Sequence, residues 1–88
     1  MSRTKFTQAN NTFRELLKEF RTAKNLSQAE VAARLGLPQS YVSKYETGER
    51  RLDFAETVFV CDALGIGIEK FAAAFSSKRA KSHRVKDG

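Results

Sequence analysis

The sequence predicts an all-α fold of five helices in a single domain, and three observations carry that prediction. Apolar residues recur at i, i+3, i+4 and i+7 in two separate segments. Capping boxes and turn glycines punctuate the chain. Nowhere do polar and apolar residues alternate as they do along a half-buried strand. Eighty-eight residues leave room for one domain, with a small core and a narrow margin of stability.

Thr12-Phe13-Arg14-Glu15 is a capping box, the Thr hydroxyl accepting from the backbone while the Glu side chain reaches back, so the first helix is expected to start there and run to about Lys24. Phe13, Leu16, Leu17 and Phe20 share its inward stripe. Asn25-Leu26 breaks the pattern, and Ser27-Gln28-Ala29-Glu30 is a second capping box that opens a short helix with Val31, Ala32 and Leu35 inward. Gly36 suits the left-handed end of that helix, and Gly36-Leu37-Pro38 makes a three-residue turn. A third helix follows from about Gln39 to Glu46, short and polar, with Val42 and Tyr45 inside and Gln39, Ser40, Ser43 and Lys44 outside. Thr47 to Arg51 is a polar turn. Asp53 caps a fourth helix that carries Phe54, Val58, Cys61 and Leu64 at near-helical spacing and stops at Gly65. The fifth runs from about Ile68 to Phe75 with Ile68, Phe71, Ala72 and Phe75 on its stripe.

Composition narrows the chemistry. A single cysteine makes no internal disulfide, and one Cys with one His supplies no set of metal ligands, so neither structural metal nor cofactor is implied. Cys61, among Phe59, Val60 and Leu64, reads as a small buried hydrophobe, and His83 lies in a polar tail. Gly65-Ile66-Gly67 is too short to stand as a phosphate loop, and nothing resembles a nucleophile with its base, so the chain reads as no enzyme. No apolar stretch approaches the ~20 residues that span a bilayer, and no apolar run follows the basic first residues as in a secretory signal. The expected location is cytoplasmic, on the nucleoid.

Sixteen Lys and Arg against ten Asp and Glu give a net charge of +6, and the excess is not evenly spread. Residues 12–75 carry nine bases and nine acids, whereas 1–11 hold Arg3 and Lys5 with no acid, and 76–88 hold Lys78, Arg79, Lys81, Arg84 and Lys86 against Asp87. The domain is therefore neutral and its two ends are basic. Such ends read either as flexible arms that follow a polyanion without reading it or as solubilising tails.

Two short helices joined by a tight turn, the first apolar inside and the second polar outside, form a helix-turn-helix over about 27–46, a motif whose second helix enters the major groove. Three runs strengthen this: Leu26-Ser27-Gln28-Ala29-Glu30-Val31-Ala32-Ala33-Arg34-Leu35-Gly36, Val42-Ser43-Lys44-Tyr45-Glu46-Thr47-Gly48-Glu49-Arg50-Arg51, and Ala63-Leu64-Gly65-Ile66. Their wording resembles the Cro/C1-type (XRE) helix-turn-helix family across about residues 13–75. The resemblance implies a five-helix, lambda-repressor-like domain and a bacterial or phage transcription regulator that binds operators as a homodimer.

Position by position, the resemblance puts Gln28 where the family holds a phosphate, in keeping with an amide at a helix N-terminus. It puts Gln39, Ser40, Ser43 and Lys44 where bases are read, Gln suiting adenine and Lys guanine. Thr47, Arg50 and Arg51 follow at positions that touch the DNA backbone. Tyr41 either packs against sugar and phosphate or covers its own core. Glu46 would repel phosphate, so it is expected to hold an Arg or a backbone amide. Pro38 departs from the Ser or Thr that many relatives use to cap the reading helix; it suits a helix start but donates no hydroxyl. The six phenylalanines Phe13, Phe20, Phe54, Phe59, Phe71 and Phe75 fall on helical stripes and read as core, not as a base-stacking platform. The fifth helix, with Phe71 and Phe75, is also the expected contact surface between copies. The resulting function is a sequence-specific regulator of double-stranded DNA, a repressor on an inverted-repeat operator. The alternatives are an antitoxin holding a toxin partner with autoregulatory DNA binding, and, ranked last, an RNA binder, which lacks the aromatic sheet or GXXG loop of common RNA modules.

Overall fold

The computed structural model describes the backbone of residues 2–87 and the side chains of residues 6–81. Five helices follow in order: α1 (Ser2–Ala23), α2 (Gln28–Leu35), α3 (Gln39–Thr47), α4 (Phe54–Leu64) and α5 (Ile68–Asp87). The expected tail groups Arg3, Lys5, His83, Arg84 and Lys86 lie outside the described side chains.

Local chemistry sets most of the boundaries. Ser27 Oγ accepts from the Glu30 backbone N–H at 3.0 Å while Glu30 accepts from the Ser27 N–H at 2.7 Å. Asp53 and Glu56 repeat the same reciprocal pair at the start of α4, at 2.7 and 2.9 Å. Each such box is worth about 1 kcal/mol. The N–H donors it satisfies hold the Glu30 and Glu56 carboxyls below the usual carboxylate range, with Arg50 adding to the effect at Glu56. Gly36 ends α2 at φ 72°, a left-handed conformation that a Cβ would strain.

Two boundaries differ from expectation. The first helix begins at Ser2, so Thr12 lies inside it and the Thr12–Glu15 box caps nothing; α5 continues past Phe75 to Asp87. Neither Ser2–Asn11 nor Ser76–Asp87 contains a glycine or proline to stop propagation from the helical turn beside it, and extending a formed helix costs far less than nucleating one.

The core lies where α1 meets α3, α4 and α5, and where α2 meets α3 and α4. Leu17, Val31, Val42, Val60, Cys61 and Leu64 are fully buried in it. Phe71 joins them, its ring edge-on to Phe13 with centroids 5.6 Å apart and tilted against Phe20 at 6.1 Å; Phe75 meets Phe13 at 6.3 Å. Phe71 is thus core, as its stripe predicted, and Phe75 packs against it while staying half-buried.

The inward stripe of α4 is Thr57, Val60, Cys61 and Leu64, not the Phe54, Val58, Cys61 and Leu64 expected. Phe54 and Phe59 therefore stand outside, 73% and 64% exposed. The cause is the composition of α4, apolar almost all the way round, which gives the sequence no single stripe to reveal.

Cys61 is buried and its thiol is pushed up to about 11 by desolvation, with Asp62 adding to the rise. It is expected to react with a disulfide reagent at about pH 8 on the order of 100-fold more slowly in the native chain than in denaturant. Equal rates in the two states would show that the α4 interior opens. Among the described residues no helix is long and apolar enough to cross a membrane, and no His, Cys, Asp or Glu cluster is placed to hold a metal ion.

Candidate nucleic-acid interface

A short polar helix needs neighbours to hold it, and α3 has them. Val42 and Tyr45 are buried beneath it, as expected from their spacing. Pro38 precedes it in extended conformation with φ −65° and ψ 153°, and contributes no side-chain cap, yet the helix starts at Gln39 as its position required. At about 100° per residue, Gln39, Ser43, Thr47, Ser40 and Lys44 fall within an arc of about 140° on the opposite side. Of these, Gln39, Ser40, Lys44 and Thr47 are exposed and Ser43 is half-buried.

Behind the arc runs a chain of side chains from three helices. Glu46, on α3, accepts a fork from Arg21 of α1, Nε to Oε2 at 2.7 Å and Nη2 to Oε1 at 3.0 Å. The remaining Arg21 nitrogen, Nη1, donates to the Leu26 carbonyl at 2.8 Å. The pair is nearly dry, the two side chains 11% and 4% exposed, and the hydrogen bonds that Arg21 donates to Glu46 raise its guanidinium above the ordinary range. Glu46 thus holds an arginine, as its repulsion for phosphate predicted.

Gln28, at the first turn of α2, donates Nε2–H to the same Glu46 carboxylate at 2.9 Å. Its Oε1 accepts from Gln39 Nε2 at 3.3 Å. Gln28 is thereby locked, and Gln39 keeps one amide N–H and its carbonyl oxygen for an outside partner. That donor and acceptor side by side are what an adenine edge in the major groove accepts and offers.

Tyr41 and Arg50 gather elsewhere. The Tyr41 hydroxyl donates to Glu56 Oε2 at 3.2 Å, Arg50 pairs with the same oxygen, and the Arg50 guanidinium lies 4.8 Å from the centre of the Tyr41 ring. Burial is the main cause that raises the Tyr41 hydroxyl above its usual range, so it stays a protonated donor. Its ring also meets Tyr45 edge-on at 5.8 Å. Tyr41 therefore covers core while its hydroxyl reaches the flank of α3. Arg51 is exposed in the turn beyond.

The structure thus brings Gln28, Gln39, Ser40, Ser43, Lys44 and Thr47 to one surface and sets Tyr41, Arg50 and Arg51 at its edge. Two positioning residues escaped the sequence reading. Arg21 was only one of several cations off the stripe of its helix, and Glu56 was visible only as half of a capping box.

Residues 17–71 match the model of the helix-turn-helix family. An XRE-family like protein from Pseudomonas syringae pv. tomato is 36% identical, with a TM-score of 0.82 over 88% of this chain and 94% of that one. The restriction-modification controller protein C.AhdI from Aeromonas hydrophila is 35% identical, with a TM-score of 0.64 over 70% of this chain and 94% of its own. A second such controller, C.Esp1396I, shares the fold at 19% identity, with a TM-score of 0.77 over 83% and 95% of the two chains. The comparison with curated proteins gave no match. The chain belongs to the Cro/C1-type (XRE) helix-turn-helix family of DNA-binding transcription regulators.

Proposed function

We propose that this protein is a sequence-specific repressor that binds an inverted-repeat operator as a homodimer, with α3 in the major groove. The observation that supports this most directly is the Arg21–Glu46–Gln28–Gln39 chain, which ties one amide down at the start of an exposed polar arc. Gln39, Ser40, Ser43 and Lys44 read bases in this proposal, while Gln28, Tyr41, Thr47, Arg50 and Arg51 hold the backbone. The basic ends 1–11 and 76–88 add salt-sensitive attraction without sequence preference. One short helix reads only a few base pairs, so two copies are needed to specify a site. The C.Esp1396I controller has been seen as a tetramer on its natural 35 base-pair operator.

Selection from random duplex DNA at physiological salt tests the proposal, comparing the intact chain with the Gln39→Ala/Lys44→Ala variant. An inverted repeat is expected from the intact chain. At about 1–3 kcal/mol per bidentate base contact, the double variant is expected to bind that repeat roughly 30-fold or more weakly. Motif-free binding that survives both substitutions would overturn the assignment of α3 and favour a module whose main partner is a protein.

A further inference from the structure

We propose that a hollow between α1 and the turn after α3 seats one phosphate of the DNA strand that passes the end of the reading helix, with Arg14 of α1 as its principal cation. The inference rests on the DNA reading above for the source of the phosphate, and on the structure for its place. The hollow has a volume of about 140 Å³ and is lined by Asn10, Asn11 and Arg14 of α1 and by Gly48, Arg50 and Arg51, among others. At ~30 Å³ for each water of the liquid, that is room for roughly four or five waters, or for a phosphate group in their place. Three arginines and two amides line it, and no carboxylate does. Glu56 already neutralises Arg50, whereas Arg14 and Arg51 form no ion pair among the described residues. Arg50 and Arg51 keep the backbone role given them above; the addition is the wall that α1 supplies.

Arg14 is half-buried and held at two points. Its Nη1 donates to Asn11 Oδ1 at 2.5 Å, and its guanidinium lies so close over Gly48 that a Cβ there would stand 3.0 Å from Cζ and 3.1 Å from Nε. Gly48 closes α3 at φ 91°, so the backbone conformation and the contact both call for glycine. Arg14 also opposes the negative end of the α3 dipole, yet its one hydrogen bond among the described residues goes to Asn11 and none to an α3 carbonyl. The rest of its N–H fork is left for the oxygens of an anion, the geometry that suits phosphate. The place selects a DNA strand as the source. Thr47, the last residue of the reading arc, directly precedes Gly48, so a strand whose bases meet α3 carries its backbone past the hollow. Asn10 and Asn11 belong to the part of α1 upstream of Thr12, so the wall exists because the helix starts at Ser2.

The salt dependence of DNA binding by the full chain tests this, on the selected operator and on a random duplex of equal length. Each phosphate neutralised contributes about 0.9 to the steepness with which log K falls against log salt concentration. Arg14→Gln is expected to make that slope shallower by about one on both duplexes and to weaken binding to both alike, by about tenfold. Lys70→Gln removes the same charge from an exposed site on α5 outside the hollow and should leave the slope as it is. Asn11→Asp separates phosphate binding from support of α3: the new carboxylate pairs with Arg14, so thermal unfolding should hold or rise while the slope becomes as shallow as in Arg14→Gln. An unchanged slope in Arg14→Gln, an equal change in Lys70→Gln, or a loss in Arg14→Gln that Asn11→Asp does not share would each overturn the proposal. A backbone contact needs no sequence, so the random duplex keeps the two readings apart. Where selection yields no motif but Arg14→Gln still flattens the slope on the random duplex, base reading by α3 falls and the hollow stands; absence of binding to either duplex overturns both. Inorganic phosphate titrated without DNA, followed by nuclear magnetic resonance at the Asn10 and Asn11 amides, separates the sources. Saturation there beside an unchanged slope in Arg14→Gln assigns the hollow to a free phosphate and overturns the DNA strand.

Discussion

Glu46→Ala is expected to cost about 3–5 kcal/mol, because it leaves the Arg21 guanidinium in a nearly dry site with only the Leu26 carbonyl as acceptor. A domain of this size has about 5–10 kcal/mol to lose, and each kcal/mol moves its melting point by roughly 4–8 °C. The midpoint by far-ultraviolet circular dichroism should therefore fall by roughly 12 °C or more. Operator discrimination should fall with it, measured well below the new midpoint, since Gln28 loses its acceptor and Gln39 the residue that orients it. A double variant, Arg21→Met/Glu46→Leu, separates the two effects. An apolar pair of similar volume should recover most of the stability while discrimination stays low. Recovery of both would show that the ion pair supports the fold and has no part in placing Gln39.

The second large effect is at Phe71. Phe71→Ala empties a site bounded by Phe13 and Phe20 and is expected to cost about 3–5 kcal/mol, read as a lowered urea midpoint with an unchanged slope. The ring ties α5 to α1, so the loss should reach both helices together. An unchanged midpoint would show that the Phe71 ring carries little of the contact between α1 and α5.

What the sequence revealed and what it hid divide along physical lines. Chemistry confined to a few neighbouring residues was legible: the Ser27–Glu30 and Asp53–Glu56 boxes, the left-handed glycine after α2, and the Val42 and Tyr45 side of α3 all stand where spacing put them. The Thr12 box misled because a capping pattern competes with helix continuation, and nothing upstream breaks the helix. On α4 too many apolar residues blurred the choice of face, so Phe54 and Phe59 were placed inside. The polar chain behind α3 joins residues up to 25 positions apart, and its members look like ordinary surface residues in the sequence. Glu46 alone gave a hint, since a carboxylate beside a phosphate-binding surface needs a cation. Tyr41 and Arg50 were assigned to DNA by position, and only the fold shows that both reach Glu56 first.

The way α3 is held has a consequence for how such a protein changes over evolutionary time. Its anchors are Val42, Tyr45 and Glu46, whereas Ser40, Lys44 and Thr47 project outward and carry little of the fold. Substitutions at these outward positions should be close to neutral for folding, within about 0.5 kcal/mol. Target preference and foldability are thus inherited on different residues, and a lineage can drift to a new operator without first acquiring stability to spare. Gln39 is the exception, because its amide is tied to Gln28 and through it to Glu46; it is the reading position least open to exchange.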